Sequence, residues 1–231
     1  MKVAFCVPTL RKPYPLFVDS LAASIPLLDA AGIEHQAVSE VGNPYISQAR
    51  NVMLRKALDA KADTIVFLDH DMGWAPDALL TLIRTDCDVA AGTYRYKCED
   101  ERYMGTVRGG PHGTPLVRAD GCILAEWVPA GFLKVTADAV ARFMRAYPHL
   151  SYGAPYAPYT DLFNHGAHNG TWYGEDYAFS RNYNAAGGQI VIVPDLDLIH
   201  CAADGTQYPG NFHNYLRRQP GGDLAKGATP C

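Results

Sequence analysis

The sequence predicts an α/β protein built on a mostly parallel sheet with helices on both faces. Three observations lead there. Residues 3–7, 64–68 and 89–92 are short, almost wholly apolar runs, the pattern of strands buried on both faces. Stretches of helical character separate them, so the order reads β-α-β-α-β, which crossover helices on a parallel sheet satisfy. Breakers stand at the joints: Pro8, Gly32 and Pro76 fall where one element hands over to the next.

Along the chain, residues 3–7 form the first strand, stopped by Pro8. Residues 16–31 read as a helix closed by Gly32, with Pro26 predicting a kink or break inside it. Residues 33–38 are a second strand. Ser47 is positioned to cap a helix to about residue 60, with Ile46, Ala49, Met53, Ala57 and Ala60 along one face. After the strand at 64–68, Pro76 suits the first position of a helix to residue 84. The regular order ends after the strand at 89–92, since residues 94–120 have no clear period. Residues 123–128 read as a strand, and Thr136 caps a helix to residue 145. Residues 147–173, with three prolines and five of the fourteen tyrosines, read as a long loop of the kind that serves function. A helix over 177–186, ended by Gly187-Gly188, precedes short strands at 189–193 and 196–199. The tail from Gly205 reads as irregular.

At 231 residues the chain is long enough for a real core, and with no repeat or linker it reads as a single domain, 1–231. Its 48% hydrophobic and 19% charged residues are ordinary for a globular protein. The apolar run after Met1-Lys2 is too short for a signal segment or a membrane span, and no later stretch reaches span length. A soluble, cytoplasmic protein is the expectation. Cys6, Cys87, Cys98, Cys122, Cys201 and Cys231 form no C-x-x-C pair, so reduced thiols are expected. A net charge of −4 gives no global attraction to nucleic acid or anionic membrane.

Asp69-His70-Asp71 is the central motif. Two carboxylates at i and i+2, leaving a strand, can converge on a hard divalent cation bound to phosphates. Two other D-x-D pairs exist, but Asp86 and Asp88 precede a strand, while Asp195 and Asp197 sit at the start of one. Only Asp69 and Asp71 stand at the carboxyl end of an apolar strand, where open α/β sheets bind ligands; a solvated turn is the competing reading. Arg50 lies in the first turn of its predicted helix, where a cation opposes the macrodipole unless an anion binds there. Glu175 and Asp176 open the late helix, either stabilising its start or supplying a general base. His200 ends the strand at 196–199. The group His165, His168 and His213 has no zinc-ligand spacing. There is no G-x-x-x-x-G-K-[ST], no G-x-G-x-x-G after the first strand and no G-x-S-x-G, which counts against P-loop NTPases, dinucleotide dehydrogenases and α/β-hydrolases.

In series, these pieces resemble a GT-A glycosyltransferase. Val7-Pro8-Thr9 is similar to the strand end that holds the nucleoside, and Ile46-Ser47-Gln48-Ala49-Arg50-Asn51 to the helix start whose arginine lies near the nucleotide. Phe67-Leu68-Asp69-His70-Asp71 matches the D-x-D motif. Val128-Pro129-Ala130-Gly131-Phe132 resembles the glycine turn beside donor sugar and acceptor. Gly174-Glu175-Asp176-Tyr177 matches the E-D motif, and residues 194–200 resemble the last strand with its metal-binding histidine. Small stand-alone forms, often phage-encoded, are the nearest likeness. They share the segment Gly92-Thr93-Tyr94-Arg95-Tyr96-Lys97 and the stretch Tyr208-Pro209-Gly210; a phage-encoded protein would act in the host cytoplasm.

The resemblance implies a GT-A, Rossmann-like fold with a nucleotide-binding half (1–93), an acceptor half (94–200) and an irregular C-terminal tail (201–231). It implies transfer of a sugar from a nucleotide-sugar donor, a UDP-sugar foremost, with inversion expected from the E-D motif. Pro8, Thr9, Arg50, Asp69, His70 and Gly131 would bind the nucleotide-sugar. Asp71, His200 and Asp69 would hold Mn²⁺, with Mg²⁺ as the alternative. Asp176 would be the base and Glu175 would orient the acceptor. That acceptor is either a saccharide or a hydroxymethylated DNA base, the latter suggested by Arg95, Lys97, Arg102, Arg108 and Arg118. A non-catalytic nucleotide-sugar-binding relative, or a metal-dependent phosphohydrolase using the same carboxylates, remains the alternative. Oligomeric state is not legible.

Overall fold

β1 (Lys2–Thr9) shows why the first apolar run has no polar face: Ala4 and Cys6 feed one core while Val3, Phe5 and Val7 feed the other. The computed structural model describes residues 1–10, 12–110 and 114–219. From β1 the chain passes through α1 (Pro15–Ala30), β2 (Glu34–Val41) and α2 (Ile46–Asp59) to β3 (Thr64–Leu68). β2 and β3 both pair with β1 in parallel. This is the expected β-α-β-α-β half, and it brings the carboxyl ends of β1 and β3 to one edge. α1 is continuous through Pro26, because that proline lies on the exposed side, where water reaches the carbonyl it leaves unpaired. α2 begins one residue before Ser47, with Tyr45 as its uncapped N-cap; Ser47 is buried inside the first turn.

The chain then leaves this sheet. β4 (Met72–Trp74) belongs to a second, three-stranded sheet, and α3 (Ala78–Arg84) starts two residues after Pro76. β5 (Val89–Ala91), β6 (Thr106–Val107), β7 (Ile123–Trp127) and β8 (Phe132–Thr136) return to the large sheet. α4 (Ala137–Ala146) opens with the Thr136 side chain accepting from the Ala139 N–H, the expected cap. Residues 147–173 are not one loop. They form two antiparallel hairpins, β9 (Ser151–Ala154) with β10 (Ala157–Thr160) and β11 (Gly166–His168) with β12 (Thr171–Tyr173). α5 (Glu175–Ala185) and β13 (Ile190–Ile192) follow.

The tail also departs from expectation. β14 (Asp197–Cys201), β15 (Gln207–Asn211) and α6 (Phe212–Arg218) are regular, and β14 lies between β15 and β4 in the small sheet. The large sheet has the order β2-β1-β3-β8-β5-β13-β7-β6. Most of its strands run the same way, as expected; β8, antiparallel between β3 and β5, and β7, antiparallel to β13, are reversed. Apolar side chains are buried on both of its faces. Cys6, Cys87, Cys98, Cys122 and Cys201 are free thiols; Cys231 lies outside the described residues. No described helix is long and apolar enough to cross a membrane.

Candidate active site

The D-x-D segment spans the gap between the two sheets. Asp69 follows β3 directly and Asp71 immediately precedes β4, so each sheet fixes one end. On the large sheet, β8 pairs with β3 so that Leu68 faces Phe132, and the Asp69 N–H donates to the Gly131 carbonyl at 3.0 Å. On the small sheet, β14 pairs with β4 so that His200 faces Met72. That register brings His200 Nε2 to 3.7 Å from Asp71 Oδ2. Two sequence-distant parts of the expected site therefore meet through strand pairing.

Arg50 sits behind the segment. It is 2% exposed, and its guanidinium fork is divided between Asp69 Oδ1 at 2.7 Å and Glu175 Oε1 at 2.5 Å. The Phe163 ring lies 5.4 Å from its guanidinium carbon. Burial works against the charge, but Asp69, Glu175 and Asp176 outweigh it and hold the guanidinium firmly protonated. Arg50 is thus a clamp on two carboxylates at the heart of the site rather than an exposed cation at a helix start. Its Nε finds no acceptor among the described residues.

Asp71 has different company. Lys97 Nζ lies 2.5 Å from its Oδ2. Burial pushes this carboxyl up, yet His200 and Lys97 more than offset that and hold it well below the usual carboxylate range. His200 Nδ1 lies 2.8 Å from the Arg95 carbonyl. A carbonyl only accepts, so Nδ1 carries a proton and Nε2 is the ring nitrogen turned toward Asp71, with the outer partner of a ligating imidazole in place. Carboxylate and imidazole donors so arranged fit a divalent cation. Asp69 gives one oxygen, Oδ1, to Arg50, and no group of three potential metal-binding side chains forms among the described residues.

Glu175 and Asp176 open α5, in its first turn. The pair splits: Glu175 is held by Arg50, whereas Asp176 accepts from the Tyr177 N–H at 2.8 Å. Burial, then Glu175, pushes Asp176 up to about 6. Its raised pKa is of the kind a general base working near neutrality needs.

The remaining expected residues frame this centre. His70 Nδ1 lies 3.1 Å from the Pro8 carbonyl, docking the D-x-D segment on the end of β1. Thr9 is buried at the same strand end, and its carbonyl accepts from the Gly42 N–H. Gly131 donates its N–H to the Tyr94 hydroxyl at 3.1 Å. A Cβ there would lie within 2.8 Å of Asp69 Oδ2 and closer still to the Tyr94 oxygen, so only glycine leaves room for both. His165, His168 and His213 do not converge: they lie beside Trp172, Tyr173 and Asp195 respectively.

Sequence reasoning missed the roles of Tyr94 and Lys97. Tyr94 is 3% exposed, its hydroxyl bonds the Gly131 N–H, and burial followed by Asp69 and Asp176 pushes its phenol well up. Both residues lie in the segment 92–97, whose only signal was its likeness to the phage-type forms.

This chain has the GT-A fold. It is similar to the crystal structure of A197 from STIV, with 17% identity, 91% of this chain and 95% of that one covered, and a TM-score of 0.51. It is also similar to GalNAc-T7 crystallised with UDP, GalNAc and Mn²⁺, with 11% identity over 86% of this chain and 43% of that one, and a TM-score of 0.50. No protein-family model and no curated protein sequence matches it.

Proposed function

We propose that the protein is a metal-dependent glycosyltransferase that moves a sugar from a nucleoside-diphosphate sugar to an acceptor hydroxyl, with inversion at the anomeric carbon. The observation that carries this reading is the pairing of Asp71 with His200 together with an acid at the start of α5, Asp176, whose pKa of about 6 leaves it mostly ionised at neutral pH. The shared fold with GalNAc-T7, crystallised with UDP, GalNAc and Mn²⁺, supports a UDP-sugar as donor.

Pro8 and Thr9 at the end of β1, with His70 docked on Pro8, would form the nucleoside side of the cleft. Gly131 serves the donor indirectly, by leaving room for both Tyr94 and Asp69. Arg50 holds Asp69 and Glu175 in place. Asp176 takes the proton of the acceptor hydroxyl as its oxygen attacks the anomeric carbon. The bond from that carbon to the phosphate oxygen breaks, and its electron pair leaves with the nucleoside diphosphate. A divalent cation bound by Asp71 and His200 would supply Lewis-acid neutralisation of the leaving diphosphate; such mixed donors suit Mn²⁺, with Mg²⁺ the alternative.

A thermal-shift panel of UDP-, GDP-, CDP- and dTDP-sugars with Mn²⁺, Mg²⁺ or EDTA tests the donor and metal together. A UDP-sugar at 100 times its dissociation constant should stabilise by about 2.7 kcal/mol, with the shift lost in EDTA and in Asp71→Ala. Silence from every donor would sink the reading. Donor consumption without a glycosylated product would instead mark a phosphohydrolase, and proton NMR of the new linkage reports inversion or retention.

A further inference from the structure

We infer that the ion pair between Glu101 and Arg218 is a positioning element for the proposed cation site, acting through the segment 94–104 on the imidazole of His200. The inference rests on the assignment of His200 to that site and goes beyond it, because neither partner is bonded to Asp71 or His200 among the described residues.

The segment closes on itself. The Met104 N–H donates to the Tyr94 carbonyl at 3.0 Å, and the Tyr96 N–H to the Arg102 carbonyl at 2.9 Å. Between these bonds Arg95 and Tyr103 form an antiparallel bridge. The Arg95 guanidinium adds bonds to the Cys98 and Glu99 carbonyls, at 3.2 and 2.9 Å. A segment tied across its own width in this way shifts as a unit. Its outgoing side faces the candidate site. The Tyr94 hydroxyl accepts from the Gly131 N–H, the Arg95 carbonyl accepts from His200 Nδ1, and Lys97 Nζ reaches Asp71.

Its returning side faces α6. The Tyr103 ring lies 5.1 Å from that of Phe212 and 4.9 Å from that of Tyr215, two rings that stack on each other at 16°. Gly210, near the end of β15, lets the backbone approach the same place. A Cβ there would collide with the Tyr103 hydroxyl and lie 3.0 Å from Arg95 Cγ. The Tyr103 hydroxyl donates to Glu101 Oε1 at 3.1 Å, and Arg218 Nη2 reaches both Glu101 oxygens at 2.8 Å. A continuous chain of contacts therefore runs from Arg218 through Glu101 and Tyr103 to Arg95 and His200.

The end of that chain is where orientation is decided. β14 lies between β15 and β4, so strand pairing fixes the backbone of His200. The rotation of its ring depends on what Nδ1 bonds, as for any ligating imidazole. That partner is the carbonyl of Arg95, the residue bridged to Tyr103. The Glu101 and Arg218 side chains are 35% and 57% exposed, where an ion pair contributes little to stability. Its consequence falls on the placement of the segment rather than on the fold.

Charge exchange tests the role. Arg218→Glu sets two carboxylates against each other, and combining it with Glu101→Arg restores the pair in reverse. Mn²⁺ affinity is read by titration calorimetry in a Lys97→Met background, so that competition from that ammonium for Asp71 is the same in every variant. Arg218→Glu should weaken Mn²⁺ binding about 2- to 30-fold, and the exchanged pair should recover it. A second readout needs no metal. The His200 Nδ1–H proton resonance, protected from solvent exchange by the Arg95 carbonyl, should broaden or vanish in Arg218→Glu and return in the exchanged pair. Glu101→Gln, which removes the charge at nearly unchanged shape, keeps the test decisive should the reversal misfold. An unmoved affinity, an unmoved resonance, or losses that the exchange does not recover would each overturn the inference. If the protein binds no Mn²⁺ with either residue at position 97, the cation reading fails by itself, and the resonance alone decides whether the ion pair positions His200.

Discussion

The two acidic motifs of this protein divide their carboxylates in the same way. In Asp69-His70-Asp71 the first is gripped by the buried Arg50 and the second is not; in Glu175-Asp176 the first is again gripped by Arg50, while no hydrogen bond or ion pair joins the second to it among the described residues. The gripped pair is pinned by one rigid fork whose geometry suits two carboxylates. The other pair is left to its local environment, and the two shift in opposite directions. His200 and Lys97 hold Asp71 low against its burial, and burial with the neighbouring Glu175 lifts Asp176 to about 6. Titratable groups driven apart in this way would give the proposed enzyme an ionised ligand and a base tuned near neutrality. A D-x-D or E-D motif is therefore not two equivalent acids, and Arg50 is what makes them unequal.

That inequality can be broken at several points. The largest effect is expected from Asp176→Asn, which should lower kcat by about 10²–10⁴-fold. On the base role proposed for Asp176 the active form is the ionised one, so the native rate should rise with pH through about 6 and then level, a step the variant lacks. Near-native transfer by Asp176→Asn would remove the base from this position. Arg50→Met leaves Asp69 and Glu175 facing each other unpaired, and loss of one partner from a buried ion pair costs about 3–5 kcal/mol. Their partial exposure puts the expectation at the lower end, measurable by urea unfolding; a neutral result would make the clamp dispensable.

Gly131→Ala comes next. The added methyl meets Tyr94 and Asp69, and overpacking of this kind costs about 1–3 kcal/mol. If the loss of stability came without any loss of donor binding, the packing of Tyr94 and Asp69 around Gly131 would have no part in the site. The smallest effect belongs to Lys97→Met, since a half-exposed ion pair contributes about 0–1 kcal/mol. Its value lies in the contrast: without the competing ammonium on Asp71, Mn²⁺ should bind at lower concentration, as read by titration calorimetry. Weaker Mn²⁺ binding would mean that Lys97 organises the centre rather than competing for it.

Much of the frame was legible in the residues. β1, β3 and β5 announce themselves as apolar runs because both faces of the sheet are covered, and Thr136 marks the start of α4 through a local bond. β8 was hidden because Lys134 interrupts its pattern. That side chain is 5% exposed and is tolerated because its ammonium donates to the Thr85 carbonyl at 2.6 Å, a partner no local pattern reveals. With β8 unseen, the reversed strand in the middle of the mostly parallel sheet went unread. The hairpins in 147–173 were hidden as well, since strands of three or four residues rich in Tyr, Gly and Pro lack a readable period.

The sequence by itself determined the elements whose signals are local: the buried strands, the capped helix, and an acidic pair at the end of β3 and another at the start of α5. Only the tertiary structure decided which acid does what. Strand register set His200 against Asp71 and Gly131 against Asp69, and the burial of Arg50 assigned one carboxylate of each motif to the fork. Those assignments depend on pairings across sheets and on desolvation, which act between residues far apart in the chain and so leave no mark on their spacing.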